Sequence, residues 1–150
     1  MQHNNFALMD IEYIQSSKTH KCIRKLYILA NDGFTDLECD FYPCKRYRDI
    51  EAKYQRSFRY CQANIHKLRY DPMRYSPECR IVTTIVLNFI NDNNIRYILY
   101  KGGTIERDLC DELHIPSYNI ECRPGLIKAN CHDPKKEIHF YYNQVVKCRK

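Results

Sequence analysis

The tetrapeptide Asn-Asp-Gly-Phe at 31–34 ends one partly alternating run, residues 22–31, and precedes a second, residues 35–42. An Asp-Gly step between alternating apolar segments is the strongest short-range signal for a hairpin, because glycine accepts the positive φ that a tight turn demands. A third apolar and aromatic segment, residues 6–14, stands ahead of both. The first third of the chain therefore reads as a three-strand antiparallel meander.

The later part changes period. Pro77 suits a first helical turn, and Ile81, Ile85, Leu87, Phe89 and Ile90 give an apolar helix that stops at Asn-Asp-Asn-Asn, 91–94. A strand at 95–100 follows; Gly102 and Gly103 turn the chain into a helix over 104–114, and 117–122 reads as a short strand. Asp133 and Pro134 offer an N-cap and an N1 proline for a last helix running to about Cys148, with Ile138, Tyr141, Tyr142 and Val145 at helical spacing. The order β-β-β-α-β-α-β-α predicts an α/β fold. Its mixed sheet has the first strand central, residues 95–100 parallel to it, and helices at its faces.

Residues 43–76 fit this scheme least and read as an extended or partly helical excursion. Charge marks the same region. Ten basic and four acidic residues fall between Pro43 and Arg80, so the entire formal excess of +6 lies there. Tyr47, Tyr54, Phe58, Tyr60, Tyr70 and Tyr75 are interleaved with these cations. Basic groups contact phosphates and aromatic rings stack on bases, so the segment predicts a nucleic-acid partner held by Lys45, Arg46, Arg48, Arg56, Arg59 and His66. Packing of the tyrosines on the sheet is the plainer alternative. Apolar runs are short and interrupted by charge, which excludes a membrane-spanning helix. Nine cysteines, an odd number, and a first twenty residues without a secretion signal predict an intracellular, reducing compartment, cytoplasm or nucleus.

Three groups of residues offer chemistry. Asp10 and Glu12, two apart on the first strand, leave the same face of the sheet. Side by side on an apolar strand they repel each other unless divalent cations or basic side chains meet them; on an open edge they would simply face solvent. Asp108, with Glu106 as its neighbour, opens the helix after strand 95–100, at the carboxyl edge where functional groups concentrate in such sheets. Both acids also suit a helix N-terminus. His132 and Glu137 flank the start of the last helix. A separate constellation of Cys39, Cys44, Cys61, His66 and Cys79, or of His114, Cys122, Cys131 and His132, offers tetrahedral zinc and with it a zinc-stabilised interaction protein.

Taken in order, Asp-x-Glu on the first strand, an Asp after the fourth strand and His-x4-acid at the last helix resemble the DEDDh 3′–5′ exonuclease family. That family has the ribonuclease H-like fold. The likeness covers roughly residues 5–148 and includes Ile-His-Lys-Leu at 65–68; the Lys-Gly-Gly stretch is similar to that of divergent proteins of viral or mobile-element character. It implies one ribonuclease H-like domain over 1–150. Asp10, Glu12, Asp108 and Glu137 would be ligands for two Mg²⁺ or Mn²⁺ ions, with Glu106 the alternative to Asp108, and His132 would be the general base. The final acid is Glu where the family has Asp. The implied activity is hydrolysis of RNA or DNA from a single-stranded 3′ end; a module of the same fold that binds nucleic acid without cutting it is the alternative.

Overall fold

The computed structural model describes residues 5–15, 17, 18, 20–41, 47–64 and 80–147. It is an α/β structure built on a five-strand mixed sheet. Strands β1 (Phe6–Gln15), β2 (Lys21–Ala30) and β3 (Asp36–Asp40) form the antiparallel meander, and β4 (Tyr97–Tyr100) and β5 (Ser117–Asn119) add in parallel on the other side of β1. The spatial order is β3-β2-β1-β4-β5, so β1 is central as the order of elements predicts.

Alternation along β1 sorts the helices onto two faces. Ala7, Met9 and Ile11 join Leu26, Ile28 and Ile98 beneath α2 (Arg80–Asp92) and α3 (Thr104–Glu112). Phe6 and Leu8, with Tyr27 and Leu29, pack on the opposite face against Ile138, Tyr141 and Val145 of α4 (Pro134–Lys147). Asp10 and Glu12 continue the second set. The face that α4 covers therefore passes from apolar to acidic halfway along one strand.

Asparagine and histidine end two helices in the same way. Asn94 follows α2 with φ 53°, and the amide of Ile95 donates back to the Ile90 carbonyl at 2.9 Å. His114 follows α3 with φ 56°, and the amide of Ile115 donates to the Cys110 carbonyl at 3.0 Å. Each closing bond spans five residues and is made by the amide of a buried isoleucine, so helix termination and core packing coincide. This use of Ile95 delays β4 to Tyr97, two residues later than its apolar run predicts. β5 also ends early, at Asn119, whose side-chain oxygen accepts from the Glu121 amide at 2.9 Å and starts a 3-10 turn over Ile120–Cys122.

The basic excursion is helical where it is described. A 3-10 turn at Tyr47–Asp49 leads to α1 (Ala52–Asn64), which packs against β1. Pro77 and residues 65–76 lie outside the described residues. Among the described residues no helix is long and apolar enough to cross a membrane.

The hairpin predicted from Asn-Asp-Gly-Phe is fixed by three groups. Asp32 accepts from the amides of Phe34 and Thr35, both at 2.8 Å; Gly33 takes φ 79°; and the Tyr142 hydroxyl reaches from α4 to donate to the Asn31 carbonyl at 2.8 Å. Leu8 and Ile127 provide the contrast between core and surface, at 0% and 65% exposure. Leu8→Ala is expected to cost ~2–5 kcal/mol in denaturant unfolding, whereas Ile127→Ala should stay within ~0.5 kcal/mol.

Candidate metal centre

Strand β1 pairs with β4 only over Phe6, Ala7 and Leu8, although its pairing with β2 continues to Gln15. Beyond Leu8 the β4 side of β1 needs another acceptor for its amides. Glu106 supplies it: Oε1 accepts from the Ile11 amide at 3.1 Å, in place of a strand. The side chain arrives there because β4 ends at Tyr100, the chain turns through Lys101-Gly102-Gly103, and α3 starts at Thr104. The Gly102 amide donates to Asn119 Oδ1 at 3.0 Å, and Gly103 takes φ 23° as the N-cap of α3. A Cβ on Gly103 would lie 2.8 Å from Glu106 Oε2, so this glycine makes room for the carboxylate.

Glu106 is 3% exposed, and its Oε2 is buried with no hydrogen-bond partner. Asp10 Oδ2 is in the same condition. Around them, Asp10, Glu12 and Glu137 each offer a carboxylate oxygen within 4.8 Å of the other two. Glu137 reaches this position from the first turn of α4, whose start is set by Asp133: its Oδ2 accepts from the Lys136 amide at 3.3 Å, and its carbonyl from the Glu137 amide at 2.9 Å. The Asp133-Pro134 helix start predicted from sequence is thus the device that aims Glu137.

Crowding and burial raise all four carboxyls above their ordinary range. Asp10 is raised well above it, first by desolvation and then by the charges of Glu12, Glu137 and Glu106. Glu12 is pushed up to about 7, again by burial first and then by Glu137 and Glu106, with Lys25 opposing. Burial raises Glu106 against the pull of its own amide and that of Ile11. Glu137 is raised by burial and held down by a hydrogen bond with Asp10 and by the charges of Lys101 and His132.

No family model and no curated protein matches this chain.

Of the acids singled out in the sequence, Asp10, Glu12 and Glu137 come together, and exposed His132 lies close enough on the loop before α4 for its charge to act on Glu137. Asp108 does not join them. Two residues along a helix turn the side chain by about 200°, so with Glu106 inward Asp108 points out; it is exposed and lies 3.7 Å from Arg107. Glu106, the sequence alternative, turns inward, and its charge acts on Asp10 and Glu12, although the group that closes to within 4.8 Å is Asp10, Glu12 and Glu137 alone. The zinc constellation is also corrected: among the described residues the acidic trio is the one group of three or more potential ligands, so His114, Cys122, Cys131 and His132 do not assemble. Cys44, His66 and Cys79 lie outside the described residues. Arg48, Arg56 and Arg59 are exposed; Lys45, Arg46 and His66 fall outside the description.

Sequence reasoning passed over three lysines at the acidic cluster. Lys25 stands across from Glu12 in the β1–β2 register, Lys21 acts on Glu106, and Lys101 acts on Glu137. Glycine at the N-cap with a carboxylate three residues on was the available signal for Glu106.

The four acids bind protons more tightly folded than unfolded. Their cost to stability is therefore absent below the unfolded carboxyl range and grows as pH rises through it, up to about 7 for Glu12. In chelator the melting temperature should fall between pH 4.5 and 7.5 and recover on adding Mn²⁺. Asp10→Asn should flatten the profile, raising the melting temperature at pH 7.5 by ~2–4 °C for each kcal/mol of repulsion removed. A flat profile for the unaltered protein, followed by differential scanning fluorimetry, would contradict this.

Proposed function

We propose that this protein is a metal-dependent 3′–5′ exonuclease of the ribonuclease H-like, DEDDh-type class. The observation that carries the reading is the convergence of Asp10, Glu12 and Glu137 within 4.8 Å, beside the unpartnered Glu106 Oε2. The strand order β3-β2-β1-β4-β5, with β1 central and antiparallel to β2, supports the ribonuclease H-like arrangement. Buried carboxylate oxygens without donors fit a hard cation better than any protein partner present. Four carboxylates suffice to share two Mg²⁺ or Mn²⁺ ions.

In this reading Asp10, Glu12, Glu106 and Glu137 hold the ions, and Asp108 has no part. Bound ions would supply Lewis-acid stabilisation to the attacking and leaving oxygens of an in-line displacement. His132, unencumbered on its loop, accepts the proton of the attacking water through a ring nitrogen. The water oxygen forms the new bond to phosphorus, the bond to the 3′ oxygen breaks, that oxygen takes up a proton from solvent, and a nucleoside 5′-monophosphate leaves. Exposed Arg48, Arg56 and Arg59, together with Arg46, hold the strand by its phosphates.

A 5′-labelled single strand incubated with the protein and Mn²⁺ should shorten from its 3′ end. His132→Ala should slow this by ~10²–10⁴-fold, Asp10→Asn and Glu106→Gln should stop it, and Asp108→Asn should leave it intact. Full cleavage by both Asp10→Asn and Glu106→Gln would discard the reading; strand binding without any cleavage would leave a binding module of the same fold. Neutralising Arg46, Arg48, Arg56 and Arg59 together should weaken strand binding and reduce its salt slope by roughly 0.7 for each phosphate no longer neutralised, while Mn²⁺ binding is unchanged.

A further inference from the structure

Four ring-bearing side chains follow Glu137 along α4, and three of them are committed to the rest of the fold. His139 Nε2 lies 2.9 Å from the Tyr27 hydroxyl on β2, and the Tyr142 hydroxyl donates to the Asn31 carbonyl. Tyr141 is buried, and its hydroxyl accepts from the Ala129 amide at 3.0 Å. Phe140 is the fourth. It is 39% exposed, and its ring is held edge-on to that of Tyr141, with centroids 5.7 Å apart and planes at 75°. At about 100° per residue, Glu137, Phe140 and Gln144 fall on one flank of α4, with His139 and Tyr142 on the other. Gln144 marks what lies along that flank: it accepts from the Ile127 amide at 2.8 Å and donates to the Ile127 carbonyl at 2.9 Å, which leaves the Ile127 side chain exposed there. Side chains three apart on a helix have Cβ atoms ~5–6 Å from each other, so an oriented, solvent-facing aromatic ring adjoins a member of the acidic trio.

We propose that Phe140 stacks on a nucleobase of the substrate, that of a nucleotide adjoining the scissile phosphate. This rests on the reading of the carboxylate cluster as the site of phosphodiester hydrolysis. A base is joined to its phosphate through a single sugar, so a strand whose phosphate meets the cluster at Glu137 brings a base to the next turn of α4. Every base has a π-face, and a phenyl ring takes any of them. Ile127 adds apolar surface on the same flank and no polar group to read a base edge, so the contact favours a base over none without choosing among bases. Of the other exposed rings among the described residues, Phe34 is on the hairpin after β2, Tyr60 on α1 and Tyr118 on β5, and none of these elements carries a member of the trio.

Steady-state cleavage in Mn²⁺ is measured on two 5′-labelled single strands, one natural and one abasic at its two 3′-terminal nucleotides. The unaltered protein should show a KM roughly 5- to 150-fold higher for the abasic strand, the range that loss of one base–aromatic stack implies. Phe140→Ala and Phe140→Leu should raise KM for the natural strand by a like factor, leave Mn²⁺ binding by calorimetry unchanged and treat the two strands alike, whereas Phe140→Tyr should keep the discrimination. A ring that only packed on Tyr141 would, when removed, slow both strands equally and preserve their ratio. Unaltered protein that does not distinguish the strands, or Phe140→Ala and Phe140→Leu that distinguish them as it does, overturns the assignment to Phe140 and leaves the hydrolytic site standing. An unaltered protein that cleaves neither strand overturns the hydrolytic reading and Phe140 with it.

Discussion

The hydrogen bond from the Ile11 amide to Glu106 is the contact on which the geometry of the cluster depends. A central strand ordinarily has strands on both sides along its length; β1 loses its second neighbour after Leu8. A side chain from α3 replaces the missing strand, and this replacement brings an acid into the plane of the sheet beside two acids on its face. The register shift between Glu12 and Tyr13 falls just past the last of them, so β1 and β2 bend where the acidic stretch ends. Sheet divergence, helix start and glycine turn are thus parts of one local solution. Gly103 belongs to it as much as Glu106 does.

That solution conflicts with stability. Four carboxyls are crowded at the boundary of the apolar layer that Leu8, Tyr141 and Ile138 build, and burial is the largest cause of the rise in each of them. Three lysines soften the repulsion without cancelling it. An apolar replacement at Asp10 would extend the pattern of Phe6 and Leu8 and remove the conflict, so the acid does not serve the core. Concentrated carboxyls, with the buried Asp10 Oδ2 and Glu106 Oε2 lacking donors, gain most from a cation, which satisfies several oxygens at once.

Local chemistry was legible where one residue type fulfils one steric demand. Asp-Gly at 32–33, Asn at 94 and Asp-Pro at 133–134 each marked a boundary that the structure retains, because turns and caps depend on neighbours in sequence. The central place of β1 was legible because only a strand covered on both faces is apolar at nearly every position from Phe6 to Met9. Tertiary choices were not. Glu106 and Asp108 are indistinguishable by spacing and type; which one turns inward depends on how α3 rolls against β1, and Leu109 and Cys110 decide that by burying themselves on the same side as Glu106. The lysines escaped notice for a related reason. Lys25 faces Glu12 through strand register, and Lys101 meets Glu137 only after α4 has crossed the sheet.

The localised charge gains its meaning from where α1 sits. Taken alone, an acidic cluster repels a polyanion, and an arginine-bearing helix attracts one without doing anything to it. Here α1, with Arg56 and Arg59 exposed, packs against β1, the same strand that carries Asp10 and Glu12. The arginine-bearing helix and the acidic pair thus rest on one and the same strand. Attraction at α1 compensates repulsion at the cluster for the body of a polymer, whereas a small anion has too little length to engage both. Under the proposed function, a preference for a chain over a mononucleotide would follow from charge of both signs carried on β1 and the helix packed against it, without any contact to a base.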